Sequence, residues 1–391
     1  MPKLSFSGDN KLDLLHTGLE YFTALEYAID AAQSMIYIET YIFANDATGQ
    51  RIIAALRRAR QRECDVRVII DWIGSGTQDS VLLQRQMEAL GIACRIFNQW
   101  CQRGLSRTHR KLAIIDQRIA FIGGINIIDD IHSAQLKLHP TSLPRWDFAV
   151  QIQGSLVAEV QREVHSQWLK IGTLKVLDRL QLFKRLQKTS KQISHERHSK
   201  QGVAALVVRD NLRHRSTIQK SYLKAIGEAK HSIILANPYF APSGKFRRAL
   251  IAAAQRGIKV QLLLGVGEFA FQDAITSSFY PSLLKHGIEI SEYHFAELHG
   301  KVAVVDDAWA TVGSSNIDGF SLFVNHEANL IVLDKNFAHD LRQHLNLALI
   351  CSHQVHLNDY AKRPWHRRAW HGFAYLVYRG LMRIATFGRY D

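Results

Sequence analysis

The chain of 391 residues is long for one compact domain and leads us to expect two. Hydrophobic residues at 47% and charged residues at 21% exclude wholesale disorder, and no apolar run approaches the roughly 18 residues of a membrane-spanning helix. Lys and Arg number 49 against 35 Asp and Glu, a net charge of +14, which favours anionic partners: nucleic acid, anionic lipid or phosphorylated substrates.

The opening residues hold no apolar core for a signal peptide. Cys64, Cys94, Cys101 and Cys351 lack the paired spacing of a zinc or redox motif, so they read as reduced thiols of a cytosolic protein. In chain order, Phe22, Leu25, Ile29 and Ala32 fall on one helical face, and the apolar run 34–43 follows as a buried strand. A helix through 51–62 precedes the strand 65–71, and a further helix and strand follow over roughly 79–97. After residue 200 the same order returns: a helical face of Ile218, Tyr222, Ile226 and Ala229, a strand at 232–241, a helix at 246–257, a strand at 258–265, then 272–293. The chain is therefore a duplication of an α/β unit, with helices expected on both faces of each sheet. We divide it into a first lobe, 1–172, a basic linker, 173–202, a second lobe, 203–352, and a basic aromatic tail, 353–391.

Each half ends on the same pattern. HRKLAIIDQRIAFIGGIN begins at His109 and HGKVAVVDDAWATVGSSN at His299, with a constant offset of 190 residues from His109 to His299 through to Asn126 and Asn316. Residues two apart on a strand share a face, so His109 points with Lys111, and His299 with Lys301. Asp116 and Asp306 sit where each chain turns back, and a hairpin there pairs residues whose numbers add to about 234 in the first half. That register returns Asn126 and Asn316 to the histidine ends. The aspartates are then expected to fix the turns.

Two histidines, two lysines and two asparagines around one anion suit cleavage of a phosphodiester. One imidazole can attack phosphorus, and the other can protonate the departing alcohol and later deprotonate the incoming one. Lys111, Lys301, Asn126, Ser314 and Asn316 would hold the non-bridging oxygens. Opposite protonation states are expected of the two histidines, set by an orienting carboxylate on each, with Asp147 and Glu327 as candidates. No cluster of metal ligands stands out, and this chemistry needs neither metal nor cofactor.

These residues resemble the phospholipase D superfamily, whose signature is a duplicated H-x-K-x4-D followed by G-[SG]-x-N. The resemblance covers about residues 10–350 and implies two α/β/α sandwich lobes with the active site at their pseudo-two-fold interface. It counts His109, Lys111, Asp116, His299, Lys301 and Asp306 as the catalytic set, with His109 as nucleophile. In the first half, glycine stands at Gly124 where many members carry serine, so Ser314 is the remaining hydroxyl donor. The segments 298–322 and 327–332, with YIETYIF, AFIGGIN and VVRDNLRHR, resemble bacterial cardiolipin synthases, and in its absence of N-terminal membrane helices the chain resembles the short group among them. The implied reaction joins two phosphatidylglycerol molecules with release of glycerol. A phosphatidylserine synthase or hydrolase differs in the acceptor, and a nuclease is a rival on the same scaffold, although no base-stacking or base-reading motif is evident.

The tail 364–391 places Trp370, Phe373, Ala374, Val377, Leu381 and Ile384 on one helical face and Arg367, His371, Tyr375 and Arg379 largely on another. That pattern suits a helix lying in a membrane interface, and a helix packed on the domain is the alternative. The expected partners are an anionic phospholipid substrate and a membrane surface rather than nucleic acid. The expected location is the cytoplasmic side of a bacterial membrane.

Overall fold

A computed structural model describes residues 4–102, 104–130, 143–171, 202–211 and 214–386. The expected linker, apart from Gly202, lies outside the described residues. The first sheet holds β1 (Lys11–His16), β2 (Met35–Thr40), β3 (Asp65–Asp71), β4 (Ala93–Phe97), β5 (Leu112–Ile115), β6 (Ile119–Gly123) and β7 (Phe148–Gln153), in the order β1-β7-β6-β5-β2-β3-β4. The second holds β8 (Ala204–Arg209), β9 (Ser232–Asn237), β10 (Lys259–Gly265), β11 (Glu289–Tyr293), β12 (Val302–Val305), β13 (Trp309–Gly313), β14 (Glu327–Val332) and β15 (His353–Val355), in the order β15-β11-β10-β9-β12-β13-β14-β8.

The duplication is visible in the pairing. β2, β3 and β4 run parallel, as do β9, β10 and β11, and helices make the crossovers that parallel neighbours require. The signature strands β5 and β12 join β2 and β9 antiparallel and turn back into β6 and β13. Leu112 pairs with Ile122 and Ala113 with Phe121, the register the turn positions imply.

Side-chain alternation then sorts each strand between two cores. Ile36 and Ile38 of β2 meet Phe22, Leu25 and Ile29 of the helix Thr17–Ala31 on the outer face. Tyr37 points the other way and joins Phe148 and Val150 of the first lobe and Val312 and Leu330 of the second. One apolar core thus runs between the lobes, and the helices Val157–Ile171 and Lys335–Ile350 pack into it through Val160, Val164, Leu341 and Leu345. Inner faces that share a core hold the two signature hairpins in one relative position.

Past the second lobe, β15 adds an edge strand to the second sheet, and the helix Trp365–Ala385 lies on that lobe. It docks through Ala374, Tyr378 and Met382, and the Tyr378 hydroxyl accepts a hydrogen bond from Gly319 N at 2.6 Å. Ala374 therefore leaves the outward apolar face on which periodicity put it, and the helix runs unbroken through Gly372 and Gly380. Trp370, Phe373, Val377, Leu381 and Ile384 are exposed. One stripe packs on the lobe and the other faces out.

Asp116 and Asp306 are turn residues. Asp116 and Gln117 have φ of 51° and 58°, Asp306 and Asp307 have 53° and 48°, a left-handed region that aspartate tolerates better than most residues. The Asp116 carboxylate accepts from Gln33 N, Ser34 N and Met35 N at 2.8–2.9 Å and from the Ser34 hydroxyl, tying the hairpin to the start of β2. Asp306 does the same with Lys230 N, His231 N and Ser232 N. Neither aspartate has a hydrogen bond to a histidine of the signature, and the contacts of both are those of turn residues.

Partial burial alone would raise the Asp116 pKa, but the hydrogen bonds from Met35, Gln33 and Ser34 outweigh it and hold the pKa below the usual range. The stabilisation is therefore present above the unfolded-chain aspartate pKa and lost as pH falls through the lowered folded value. Replacing Asp116 with Asn is expected to cost about 1–2 kcal/mol near pH 7, with the difference shrinking in acid, as read by urea unfolding across pH. Normal stability with no turnover would contradict the turn role.

Candidate active site

The signature histidines lie at the seam of the two lobes, His109 buried and His299 nearly so, and backbone bonds across the seam put them there. His109 N donates to His326 O at 2.9 Å, and His326 N to Arg107 O at 2.8 Å. On the other side Trp146 N donates to Glu297 O at 2.9 Å, while His299 N and Gly300 N donate to Trp146 O at 3.0 and 2.8 Å. Each lobe thus lends a short strand-like bridge to the segment carrying the other lobe's histidine, Thr108 with His326 and Trp146 with Leu298. In the first lobe Asp71 accepts from Thr108 N at 2.8 Å, and the Thr108 hydroxyl bonds Glu39.

The carboxylates are exchanged. His109 Nδ1 lies 3.0 Å from Glu327 of the second lobe, and His299 Nδ1 lies 2.5 Å from Asp147 of the first. Glu327 is fully buried, and Asp147 nearly so. Each acid opens a strand that its neighbour in the sheet brings to the seam, β14 beside β13 and β7 beside β6. The carboxylate fixes the tautomer with hydrogen on Nδ1, which leaves Nε2 of both rings for chemistry.

Lys111 Nζ donates to His109 O at 2.8 Å, and Lys301 Nζ bonds His299 O in the same way. Lys301 Nζ also lies 2.7 Å from His299 Nδ1. One ring nitrogen cannot both accept from Lys301 and donate to Asp147, and the shorter carboxylate contact decides for donation. The Tyr41 ring packs against His109 at 4.8 Å and beneath Lys111 at 5.3 Å, so the two do share a face. Arg110, between them, turns away, fully buried and paired with Glu163 at 2.8 Å.

Of the residues expected to hold phosphate, Asn126 and Asn316 are both buried. Asn126 Oδ1 accepts from Ile42 N at 3.1 Å, which leaves its amide NH2 as the donor end. Asn316 is buried, and its Oδ1 has no partner. Ser314 is different. Its hydroxyl donates to Glu327 and accepts from Ala328 N at 3.0 Å, so it braces the carboxylate behind His109 instead of presenting a donor to phosphate. The repeat-equivalent Gly124 has a matching reason: a Cβ there would clash with both carboxylate oxygens of Asp147, the farther at 2.8 Å.

Burial pulls the His109 pKa down to about 4 against the pull of Glu327, and burial with Lys301, Arg145 and Lys111 pulls His299 well below its usual range. Burial therefore favours the neutral form of both imidazoles. Burial pushes Asp147 up; it pushes on Glu327 too, but the charge and hydrogen bond of His109, with Lys111 and Ser314, hold Glu327 below the usual range. Burial lowers Lys301 to about 8 despite Asp147 and Glu268, and it also lowers Lys111, with Lys301 beside it.

A family model described as cardiolipin synthase, PLD-like domain, matches residues 25–136 and again 222–348. Cardiolipin synthase B of Escherichia coli O6:H1 is 35% identical over 372 residues, 93% of this chain and 86% of that protein. The chain belongs to the phospholipase D-like cardiolipin synthase family. Cardiolipin synthase 1 of Bacillus cereus is 30% identical over 93% of this chain and 71% of its own length. The crystal structure of phosphatidylserine synthase from Haemophilus influenzae Rd KW20 superimposes with a TM-score of 0.73, covering 98% of this chain and 97% of that one. At 13% identity it supports the two-lobed fold alone.

Within this family member, sequence reasoning missed several residues of the seam. Arg145 pairs with Glu297 across the lobes at 2.9 Å, and Tyr239 donates to Glu268 at 2.7 Å. Tyr41 and Tyr239 stand one place apart in the register that pairs Phe43 with Ile127 and Phe240 with Ile317, so both follow the repeated strands without being repeat equivalents. Among the described residues, no group of three or more His, Cys, Asp and Glu side chains is arranged to hold a metal ion. The lowered Lys301 sets a pH limit. Turnover per KM is expected to fall as pH rises through about 8, where Lys301 loses its proton, and an alkaline limb unmoved by Lys301→Arg would exclude that origin.

Proposed function

We propose that this protein is a cardiolipin synthase that moves a phosphatidyl group from one phosphatidylglycerol to the headgroup of another and releases glycerol. The observation that carries the reading is the exchanged pair of imidazole–carboxylate bonds, which aims two Nε2 atoms into one basic, buried seam. His109 Nε2 attacks phosphorus, the P–N bond forms, the P–O bond to glycerol breaks, and the departing oxygen takes a proton from His299 Nε2. A hydroxyl of the second lipid then gives its proton to His299 and attacks phosphorus, breaking the P–N bond and returning His109 to its neutral form.

His109 suits the nucleophile because the carboxylate behind it, Glu327, stays ionised and is braced by Ser314. His299 suits the proton donor because burial, with Lys301, Arg145 and Lys111 beside it, makes its imidazolium a strong acid. The negative charge of a bound phosphodiester raises the proton affinity of both rings, and one proton shared by the pair is enough. Lys111, Lys301, Asn126 and Asn316 supply the donors for the non-bridging oxygens. Incubation with phosphatidylglycerol vesicles is expected to yield cardiolipin and glycerol, both lost in His299→Ala. Phosphatidic acid as the main product points to hydrolysis, and no lipid turnover overturns the reading.

The same reading puts the protein peripherally on the cytoplasmic face of a bacterial membrane. No helix among the described residues is long and apolar enough to cross one. The helix Trp365–Ala385 instead exposes Phe373 at 57%, Leu376 at 64% and Ile384 at 78%, with Arg367, Arg368 and Arg383 also exposed. Phe271 extends this patch and meets Trp370 edge-on at 6.2 Å. An apolar face bordered by arginines suits the interface of an anionic bilayer. Leu376→Glu with Leu381→Glu is expected to cut co-sedimentation with anionic vesicles at least fivefold without moving the unfolding transition; unchanged sedimentation removes the helix from membrane binding.

A further inference from the structure

The two halves of the seam are alike in backbone and unlike in charge. Two residues before His109 stands Arg107, which donates to the Tyr41 hydroxyl at 3.1 Å. Two residues before His299 stands Glu297, and Tyr239, one place along the repeat from Tyr41, donates to Glu268. One flank therefore pairs its tyrosine with a guanidinium, the other with a carboxylate.

The acidic flank is built and only partly satisfied. Glu297 Oε1 takes the Arg145 bond, while Glu297 Oε2 is buried without a hydrogen-bond partner on a side chain only 8% exposed. An orphaned buried carboxylate oxygen is costly unless a donor reaches it. Glu268 lies on the loop between β10 and the helix Ala270–Ser278, beside exposed Phe269, whose ring lies 6.2 Å from that of Tyr239. Lys301 feels the charge of both acids, so they belong to the His299 side of the centre. Burial, then the nearness of Glu297, lifts Glu268 to about 7, as two carboxylates sharing one place require.

A phosphate is repelled by such a pair, whereas hydroxyl groups are donors that carboxylate oxygens accept. Phosphate recognition accordingly belongs to the lysines, and the acids are left for a neutral group rich in hydroxyls. We propose that Glu268, Glu297 and Tyr239 form a polyol subsite beside His299, which holds the glycerol that leaves and the glycerol headgroup that accepts. The inference rests on the phosphatidyl-transfer reading and adds to it which residues choose the alcohol. It gives His299 a reason to be the proton donor: its half of the seam is where the alcohol oxygen sits. It also makes the preference for a polyol over water or a simple alcohol a property of the acidic flank.

The test is a competition. The full-length protein is given phosphatidylglycerol vesicles with deuterated glycerol and ethanol together, and mass spectrometry reads the ratio of labelled phosphatidylglycerol to phosphatidylethanol. Glu268→Gln, which keeps shape and removes charge, is expected to lower that ratio at least tenfold, and Tyr239→Phe several-fold. Ratios within twofold of the unsubstituted protein in both variants, whatever the total rate, overturn the subsite. Should Glu268→Gln fail to fold, Tyr239→Phe reads the same ratio alone. Neither product from the unsubstituted protein would instead sink the transfer reading underneath.

Discussion

Everything in this molecule turns on two hydrogen bonds that no single lobe can make. Glu327 of the second lobe orients His109 of the first, and Asp147 of the first orients His299 of the second. An imidazole sealed from water and left without its carboxylate would be free to choose its tautomer and its rotamer; with it, Nδ1 carries the hydrogen and Nε2 is available. The shared apolar core and the paired backbone bridges at His326 and Trp146 exist on the same seam, so fold stability and site assembly are one problem. A lobe on its own would own a histidine, a lysine and the wrong carboxylate.

Much of this was legible in the residues. The repeat gave two α/β units, the turn positions gave the hairpin register that joins Leu112 to Ile122, and an odd spacing from His109 sent Asp116 to the turn. What could not be read was anything that depends on how the lobes meet. Asp147 and Glu327 were recognisable as partners of histidines, but which served which depends on packing across the seam. Ser314 has the residue type of a phosphate donor, and only the position of Glu327 shows that its hydroxyl is already used. Burial, which lowers the pKa of both histidines, is invisible in a motif. In the C-terminal helix, periodicity found an apolar face but could not say that Ala374 belongs with Tyr378 and Met382 against the domain.

Duplication supplied two equal half-sites, and the differences between them assign the work. Serine at 314 and glycine at 124 give one carboxylate a hydroxyl brace and give the other room. Arg107 and Glu297 then give the flanks opposite charge. A symmetric pair of histidines has no reason to divide nucleophile from acid. These substitutions provide one, and the proposed division rests on them: attack at His109 and alcohol handling at His299.

Trapping the covalent intermediate tests that division most directly. A phosphatidyl donor carrying a p-nitrophenol leaving group needs no proton for departure, so His299→Ala should still be phosphatidylated while transfer onward stalls. The account predicts an acid-labile adduct on His109, located by mass spectrometry and absent from His109→Ala. An adduct on another residue, or turnover in His109→Ala at the rate of the unsubstituted protein, would contradict it.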